Sequence, residues 1–176
     1  MKAALVADDN LVLRRQVAEV LKNCGFEEVL EAETGRQAVD LALIRKPSLL
    51  VVSAPLPVMD GVTAAEKISK RLATTIVLLI AEDTSISIDR LRGAGVSGCV
   101  LKPFRDAQLA ATVALALQQS AEIAHLREEV ARLKDTIEAR KLIERAKGML
   151  IRQGFSEPEA YRRMQKVSMD KRKTLR

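Results

Sequence analysis

Leu49-Leu50-Val51-Val52-Ser53 is an aliphatic run that ends on a polar residue, and a loop with Pro55, Pro57 and Gly61 follows it. A short apolar run bounded by turn residues is typical of a strand that is buried on both faces. Strands of this kind occur in parallel sheets that helices cover on both sides. The run therefore predicts a buried strand at 49–52 that Ser53 follows.

Four more strand candidates lie on either side of this run, and segments with helical periodicity separate them. The strands are predicted at 5–7, 29–30, 75–80 and 98–101. The helices are predicted at 11–23, from Gly35 to Pro47, at 62–72, at 84–93 and from Asp106 onward. Five alternations of strand and helix predict an α/β fold with a doubly wound, five-stranded parallel sheet.

The composition predicts an aliphatic core and a cytoplasmic location. Apolar residues make up 48% of the 176 residues, with only three Phe, one Tyr and no Trp. Cys24 and Cys99 lie far apart, which fits a reducing compartment better than a disulfide framework. The start of the chain turns acidic at Asp8, unlike a signal peptide, and no apolar run has the length of a membrane span.

Positive charge is concentrated in the last third of the chain. Residues 1–117 contain 14 basic and 14 acidic side chains, whereas residues 118–176 contain 15 basic and 9 acidic ones, which accounts for the net charge of +6. Such an asymmetry indicates a tail that meets a polyanion. A solvated helix face rich in lysine and arginine would give the same count, so charge alone leaves both interpretations open.

No proline or glycine occurs between Phe104 and Lys147, which predicts one long helix. Within it, apolar residues recur at alternating steps of three and four, which is the pattern of a coiled-coil seam. The members of this seam are Ile123, Leu126, Val130, Leu133 and Ile137. A helix folded back on the sheet domain would show a similar stripe. Because charged residues occupy the other faces, we favour a parallel homodimer.

Polar residues follow three of the predicted strands. Asp8 and Asp9 follow the first, Ser53 follows the third and Lys102 follows the fifth. Sites in such sheets form at the carboxyl ends of the strands, so these side chains are predicted to meet there. Paired carboxylates beside a third oxygen suit Mg²⁺, and a nearby lysine suits a phosphoryl group.

This arrangement resembles the CheY-like receiver family, whose fold is flavodoxin-like, over about residues 2–120. The matching segments are Val6-Ala7-Asp8-Asp9-Asn10, Pro57-Val58-Met59-Asp60-Gly61, Gly93-Ala94-Gly95 and Leu101-Lys102-Pro103-Phe104. Three positions depart from the family. Ser53 stands in place of the phosphoacceptor aspartate, Ile80 in place of a hydroxyl residue and Cys99 in place of a switch aromatic.

These departures predict an input that does not use aspartate phosphorylation. A serine hydroxyl needs a base to become a nucleophile, and it cannot supply the carboxylate that helps to hold Mg²⁺. Asp8, Asp9 and Lys102 remain candidates for a weak metal or ligand site. We favour a structural ion pair between Lys102 and Asp8 or Asp9, with no cofactor. Cys99 is expected to be a small core residue.

The tail predicts a helix that ends near Gly154 and a second one after Ser156. Ser156 fits the N-cap, Pro158 the first turn and Glu159 the partner position of a capping box. Residues 138–176 carry 12 basic and 5 acidic side chains. A small, basic, all-α tail is therefore predicted.

This tail resembles the ANTAR family of transcription antitermination domains. The resemblance is carried by Lys141-Leu142-Ile143-Glu144-Arg145-Ala146-Lys147-Gly148, Ser156-Glu157, Ala160-Tyr161, Ser168-Met169 and Arg172. It implies binding to hairpins in nascent leader RNA, with phosphates held by basic side chains. The RNA contacts that it implies are Lys141, Arg145, Lys147, Arg152, Arg163 and Arg172.

Three segments are thus predicted: a receiver-like domain at 1–120, a coiled-coil linker at 121–140 and an ANTAR-like domain at 141–176. The family domain has three helices, and the third is expected to be absent from these residues. The predicted function is that of a non-enzymatic antiterminator that binds RNA as a homodimer and takes its signal from a sensor protein. A response regulator that binds DNA or a protein partner is the alternative.

Overall fold

The computed structural model describes residues 2–82, 84 and 86–170. Its strands are β1 (Ala3–Ala7), β2 (Glu28–Ala32), β3 (Leu49–Ala54), β4 (Thr75–Ala81) and β5 (Gly98–Lys102). All neighbouring strands are parallel, in the order β2-β1-β3-β4-β5. The predicted doubly wound, flavodoxin-like sheet is therefore confirmed.

Six helices occur among the described residues: α1 (Leu11–Asn23), α2 (Gly35–Arg45), α3 (Gly61–Ser69), α4 (Ile88–Gly93), α5 (Asp106–Arg152) and α6 (Glu157–Asp170). Several of these helices begin shortly after a strand ends, with a polar side chain at the N-cap. Asn10 accepts the N–H groups of Val12 and Leu13, and Thr34 accepts that of Gln37. These bonds satisfy first-turn N–H groups that have no partner within their helix.

Each face of the sheet has its own aliphatic core, because successive side chains of a strand point to opposite faces. Leu50 and Leu78 are buried on the face that α2 and α3 cover. Val51 and Val77 are buried on the face that α1 and the first turns of α5 cover. Because all neighbouring strands are parallel, their carboxyl ends lie along one edge of the sheet, and this edge is polar.

Two helices are shorter than their periodicity predicts. α3 ends at Ser69 rather than at 72, and α4 begins at Ile88 rather than at 84. Ser87 accepts the N–H of Arg90 at 3.3 Å and caps α4. No side chain of α4 is buried, so little packing favours an extra turn.

Two glycines let the loop after β3 pack closely against its neighbours. A Cβ on Gly61 would lie 1.9 Å from the carbonyl oxygen of Ser53, and a Cβ on Gly35 would lie 2.0 Å from that of Met59. In the same loop, Val58 has a φ of 67°. The N–H of Met59 donates to Pro57 at 2.7 Å, so Val58 is the centre of a γ-turn. A β-branched residue costs about 1–2 kcal/mol there.

The chain divides into one compact unit up to Glu122 and a second from Ile123. In the second unit, α6 follows α5 after a short turn, and Ala160 is the only buried residue among 123–170. Among the described residues, no helix combines the length and the apolar character that crossing a bilayer requires.

Gly61→Ala tests the close approach of the loop to β3. We expect it to lower the free energy of unfolding by about 1–3 kcal/mol, because the new methyl group would displace the backbone of a buried strand. Urea unfolding of the full chain measures this. Gly93→Ala is the matched control: nothing lies within 4 Å of its Cβ position, so it should leave stability unchanged or slightly raised. Equal destabilisation by both variants would contradict the assignment.

Candidate functional site

Asp8 lies at the centre of the polar edge formed by the carboxyl ends of β1, β3 and β5. Asp8 and Ser53 are both fully buried. Oδ2 of Asp8 accepts a hydrogen bond from Oγ of Ser53 and a second from Nζ of Lys102 at 2.7 Å. Oδ1 accepts the N–H of Asn10 at 2.8 Å. The structure thus brings three of the predicted pocket residues together and pairs Lys102 with Asp8.

Arg14 is a buried arginine of α1 that binds the backbone of Asp8. Its Nη1 donates to the carbonyl oxygen of Asp8 at 2.8 Å, while Nε and Nη2 donate to Glu31 and Glu33 at 2.8 and 2.9 Å. Burial acts to lower the pKa of Arg14, but the two glutamates outweigh it and the pKa is raised. Arg14 is not among the residues predicted from the sequence, although its place four residues before the buried Ala18 puts it on the apolar face of α1.

The residues at this edge do not fit a magnesium site. Mg²⁺ takes several oxygen ligands in near-octahedral geometry, whereas both oxygens of Asp8 already accept hydrogen bonds and one faces the Lys102 ammonium. Ser53 offers a hydroxyl instead of a carboxylate, and Asp9 is exposed. Among the described residues, no group of three or more His, Cys, Asp or Glu side chains is placed to hold a metal ion.

Ile80 and Cys99 take no part in this hydrogen-bonded edge. Ile80 is buried in the apolar core of β4. Cys99 is exposed, so the expectation of a core residue is wrong. β5 is an edge strand and α4 buries none of its side chains, which leaves the sheet face at Cys99 uncovered. Neighbouring atoms partly desolvate the thiol and raise the pKa of Cys99, which keeps it protonated at neutral pH.

In the second unit, five charged or polar residues form ion pairs and hydrogen bonds around the turn between α5 and α6, and we call them the elbow. Nζ of Lys147 lies 2.9 Å from the carboxylate of Glu144 and 2.8 Å from that of Glu157. The N–H and the hydroxyl of Ser156 both donate to Glu159, at 2.9 and 2.6 Å. Glu159 is therefore confirmed as the partner of Ser156 at the start of α6.

The elbow shifts the pKa values of its members in the directions that ion pairing requires. Hydrogen bonds to Glu157 and Glu144 raise the pKa of Lys147. The bond between Lys147 and Glu157 also lowers the pKa of Glu157. Hydrogen bonds from Ser156 lower the pKa of Glu159. With a side chain only 19% exposed, Lys147 holds the elbow together. We therefore assign it a positioning role and leave it out of the RNA contacts proposed below.

The other basic residues that the sequence predicts as RNA contacts differ in their pairing. Arg145 and Arg152 are exposed and form no ion pair with any described residue. Lys141 pairs with Glu138 at 3.0 Å, and both side chains are exposed. Among the predicted RNA contacts on α5, Arg145 and Arg152 are therefore the two that an external anion reaches without breaking an ion pair within the chain.

On α6, the guanidinium of Arg163 lies 4.8 Å from the centre of the Phe155 ring. Arg162 and Lys166, which are not among the predicted contacts, line an open groove together with Arg163 and Phe155. The signal was present in the sequence, because 162, 163 and 166 fall on one side of a helix. Arg172 lies outside the described residues.

Comparison with known proteins matches each of the two parts of the chain to a domain family. Residues 4–114 match the response regulator receiver domain, and residues 131–176 match the ANTAR domain. The chain belongs to the response regulators and carries an ANTAR domain. This regulator is 38% identical over 176 residues to the transcriptional regulatory protein PdtaR of Mycobacterium tuberculosis, a match that covers 99% of the chain and 86% of PdtaR.

Two further relatives resemble the receiver domain of this regulator. The chemotaxis protein CheY of Bacillus subtilis is 33% identical over 103 residues, which cover 57% of the chain and 85% of CheY. The N-terminal domain of a response regulator/sensory box/GGDEF 3-domain protein from Carboxydothermus hydrogenoformans superposes with a TM-score of 0.63 at 26% identity. It covers 70% of the chain and all of that structure.

Ser53→Asp tests whether the missing carboxylate is what disfavours a metal ion at this edge. We expect the variant to bind Mg²⁺ at least about tenfold more tightly than the wild type, because a second buried carboxylate would compete for Lys102 and add an oxygen ligand. Titration calorimetry measures this, with the neutral Ser53→Asn as control. Equal affinity in the wild type and in Ser53→Asp would show that another feature excludes the ion.

Acidification tests the elbow. The pKa values of Glu157 and Glu159 are depressed in the folded chain, so their stabilising effect is complete above the ordinary glutamate pKa of about 4.3. It is lost as the pH falls through the lower, folded values. We expect hydrogen exchange of the backbone amides in the first turn of α6 to become less protected as the pH falls below about 4.3. Glu159→Gln should weaken this pH dependence, and an unchanged profile in the variant would count against the elbow.

Proposed function

We propose that this regulator is a transcription antiterminator that binds hairpins in nascent leader RNA through its ANTAR domain and catalyses no reaction. The observation that carries the proposal is the ANTAR match over 131–176, on a segment whose Arg145 and Arg152 are exposed and unpaired among the described residues. The similarity to PdtaR, a transcriptional regulatory protein, agrees with it.

The charges of the tail support an RNA ligand. Arg145 and Arg152 on α5, and Arg162 and Lys166 on α6, present cations that suit phosphates. Proteins read RNA sequence mainly in single-stranded loops, where bases are accessible to side chains. A hairpin supplies both a phosphate backbone for these cations and a loop to be read.

The receiver pocket supports an input other than aspartate phosphorylation. Oδ2 of Asp8 is held by Ser53 and Lys102, the two residues that would otherwise meet a phosphoryl group. Among the described residues, the Ser53 hydroxyl donates to the Asp8 carboxylate, whose charge the Lys102 ammonium already balances. We therefore propose that a sensor protein partner, rather than phosphate, supplies the signal.

The coiled-coil seam supports a homodimer. Its five apolar side chains are between 49% and 57% exposed in the chain described here. Apolar surface of this extent on one helix face is a site of association, because covering it removes it from water. We propose that two copies associate along Ile123 to Ile137.

The experiment is titration of the full chain with a two-hairpin leader RNA at several salt concentrations, with duplex DNA of equal length beside it. We expect RNA to bind more tightly than DNA. Arg145→Ala with Arg152→Ala should weaken binding and lower the slope of log affinity against log salt by about 1 per lost phosphate contact. Lys147→Met removes the same charge from an internal ion pair and should leave the slope unchanged.

Treatment with acetyl phosphate should leave RNA binding unchanged, because Ser53 cannot take the place of an acceptor aspartate. Equal affinity for RNA and duplex DNA would contradict the antiterminator and favour a DNA-binding regulator. No binding to either nucleic acid would favour a protein-interaction module. A salt slope lowered by about 1 in Lys147→Met, with helicity preserved by circular dichroism, would return Lys147 to the RNA surface.

A further inference from the structure

In the seam of α5, β-branched residues alternate with leucines. If Ile123 is placed at heptad position a, then Val130 and Ile137 also fall at a, and Leu126 and Leu133 fall at d. In parallel coiled coils, β-branched residues at position a with leucine at position d favour bundles of two helices over bundles of three or four. The apolar seam alone thus specifies the number of helices but not which partner supplies the second one.

Four charged residues flank the seam in the same register. Glu122 and Glu129 fall at position g, and Arg127 and Lys134 fall at position e. In a parallel pair, each g residue faces the e residue of the next heptad on the other helix. Glu122 would therefore face Arg127 of a second copy, and Glu129 would face Lys134, so that every cross-helix pair combines opposite charges.

An antiparallel pair of the same helices would reverse this relation. There, g residues face g residues and e residues face e residues. Glu122 would face Glu129, and Arg127 would face Lys134, so that every pair would combine like charges. The flanking charges therefore favour the parallel over the antiparallel orientation, and they distinguish the two more strongly than the apolar seam does.

The structure leaves these four charges available. None of Glu122, Arg127, Glu129 and Lys134 forms an ion pair with another described residue. By contrast, Lys141 and Lys147 of the same helix pair with glutamates of their own chain. The side chains of Arg127 and Lys134 line the apolar groove along Ile123 and Val130, where a second helix would pack.

We propose that Glu122, Arg127, Glu129 and Lys134 select a second copy of this same chain, in parallel and in register, as the partner of the α5 seam. The inference rests on the proposed homodimer and adds to it the residues that determine partner and orientation. A coiled coil with other charges at e and g would meet like charges or unpaired ones. The flanking charges thus favour self-association over pairing with the helices of other regulators.

Two charge-reversed variants of the full chain test this. Arg127→Glu with Lys134→Glu makes all four positions acidic, and Glu122→Lys with Glu129→Lys makes all four basic. We expect each variant to dimerise at least about tenfold more weakly than the wild type at low salt, because every cross-helix pair becomes repulsive. An equimolar mixture should form a heterodimer of about wild-type strength. Sedimentation equilibrium measures all three, and the differences should shrink in 1 M salt.

The orientation is tested separately by cross-linking. In a chain with Cys24→Ser and Cys99→Ser, Ile123→Cys should form an intermolecular disulfide, because equivalent a positions of a parallel pair lie within disulfide reach. In an antiparallel pair the same positions would lie about 20 Å apart, so no disulfide would form. Ile137→Cys should behave like Ile123→Cys.

The outcomes separate this inference from the function it rests on. A wild-type dimer that both charge reversals leave intact would overturn the inference and keep the homodimer. A wild-type chain that stays monomeric at every concentration would overturn both. RNA binding is read in its own titration, so its failure would remove the antiterminator without touching the dimer result.

Discussion

The ion pair between Asp8 and Lys102 links the first and the last strand of the sheet at the edge where β3 also ends. A buried carboxylate without partners is strongly destabilising, and Asp8 is fully buried. Ser53, Lys102 and the N–H of Asn10 satisfy its two oxygens, while Arg14 holds its carbonyl oxygen. The loops that leave this edge start from a site whose charges the chain itself balances.

This balance has a consequence for signalling. An acidic residue at position 53 would place further negative charge around a single lysine, and that excess is what a divalent cation neutralises. With serine there, one carboxylate faces one ammonium and no such excess remains. The receiver fold is thus retained, and hydrogen bonds within the chain satisfy the buried Asp8 carboxylate. This arrangement agrees with the proposed input through a protein partner, and the exposed apolar seam of α5 is one surface on which another helix could pack.

The second unit is organised by the opposite principle. Only Ala160 is buried there among the described residues, so little of its structure depends on packing within one chain. The side-chain bonds around the turn between its helices are local: the ion pairs of Lys147 and the bonds of Ser156 with Glu159. Such a segment has free apolar and cationic surface, which is what association with a second helix and with a polyanion requires.

The sequence by itself determined the order of strands and helices, the parallel sheet, the seam and the start of α6, because these follow from local periodicity and capping chemistry. It also placed Asp8, Ser53 and Lys102 at one edge, since strand ends in parallel sheets converge. Only the tertiary structure decided which aspartate pairs with Lys102, that Arg14 is buried, that Cys99 is exposed and that Lys147 is committed to Glu144 and Glu157. These outcomes depend on which neighbour covers each side chain, and coverage is set by contacts between segments that are distant in sequence.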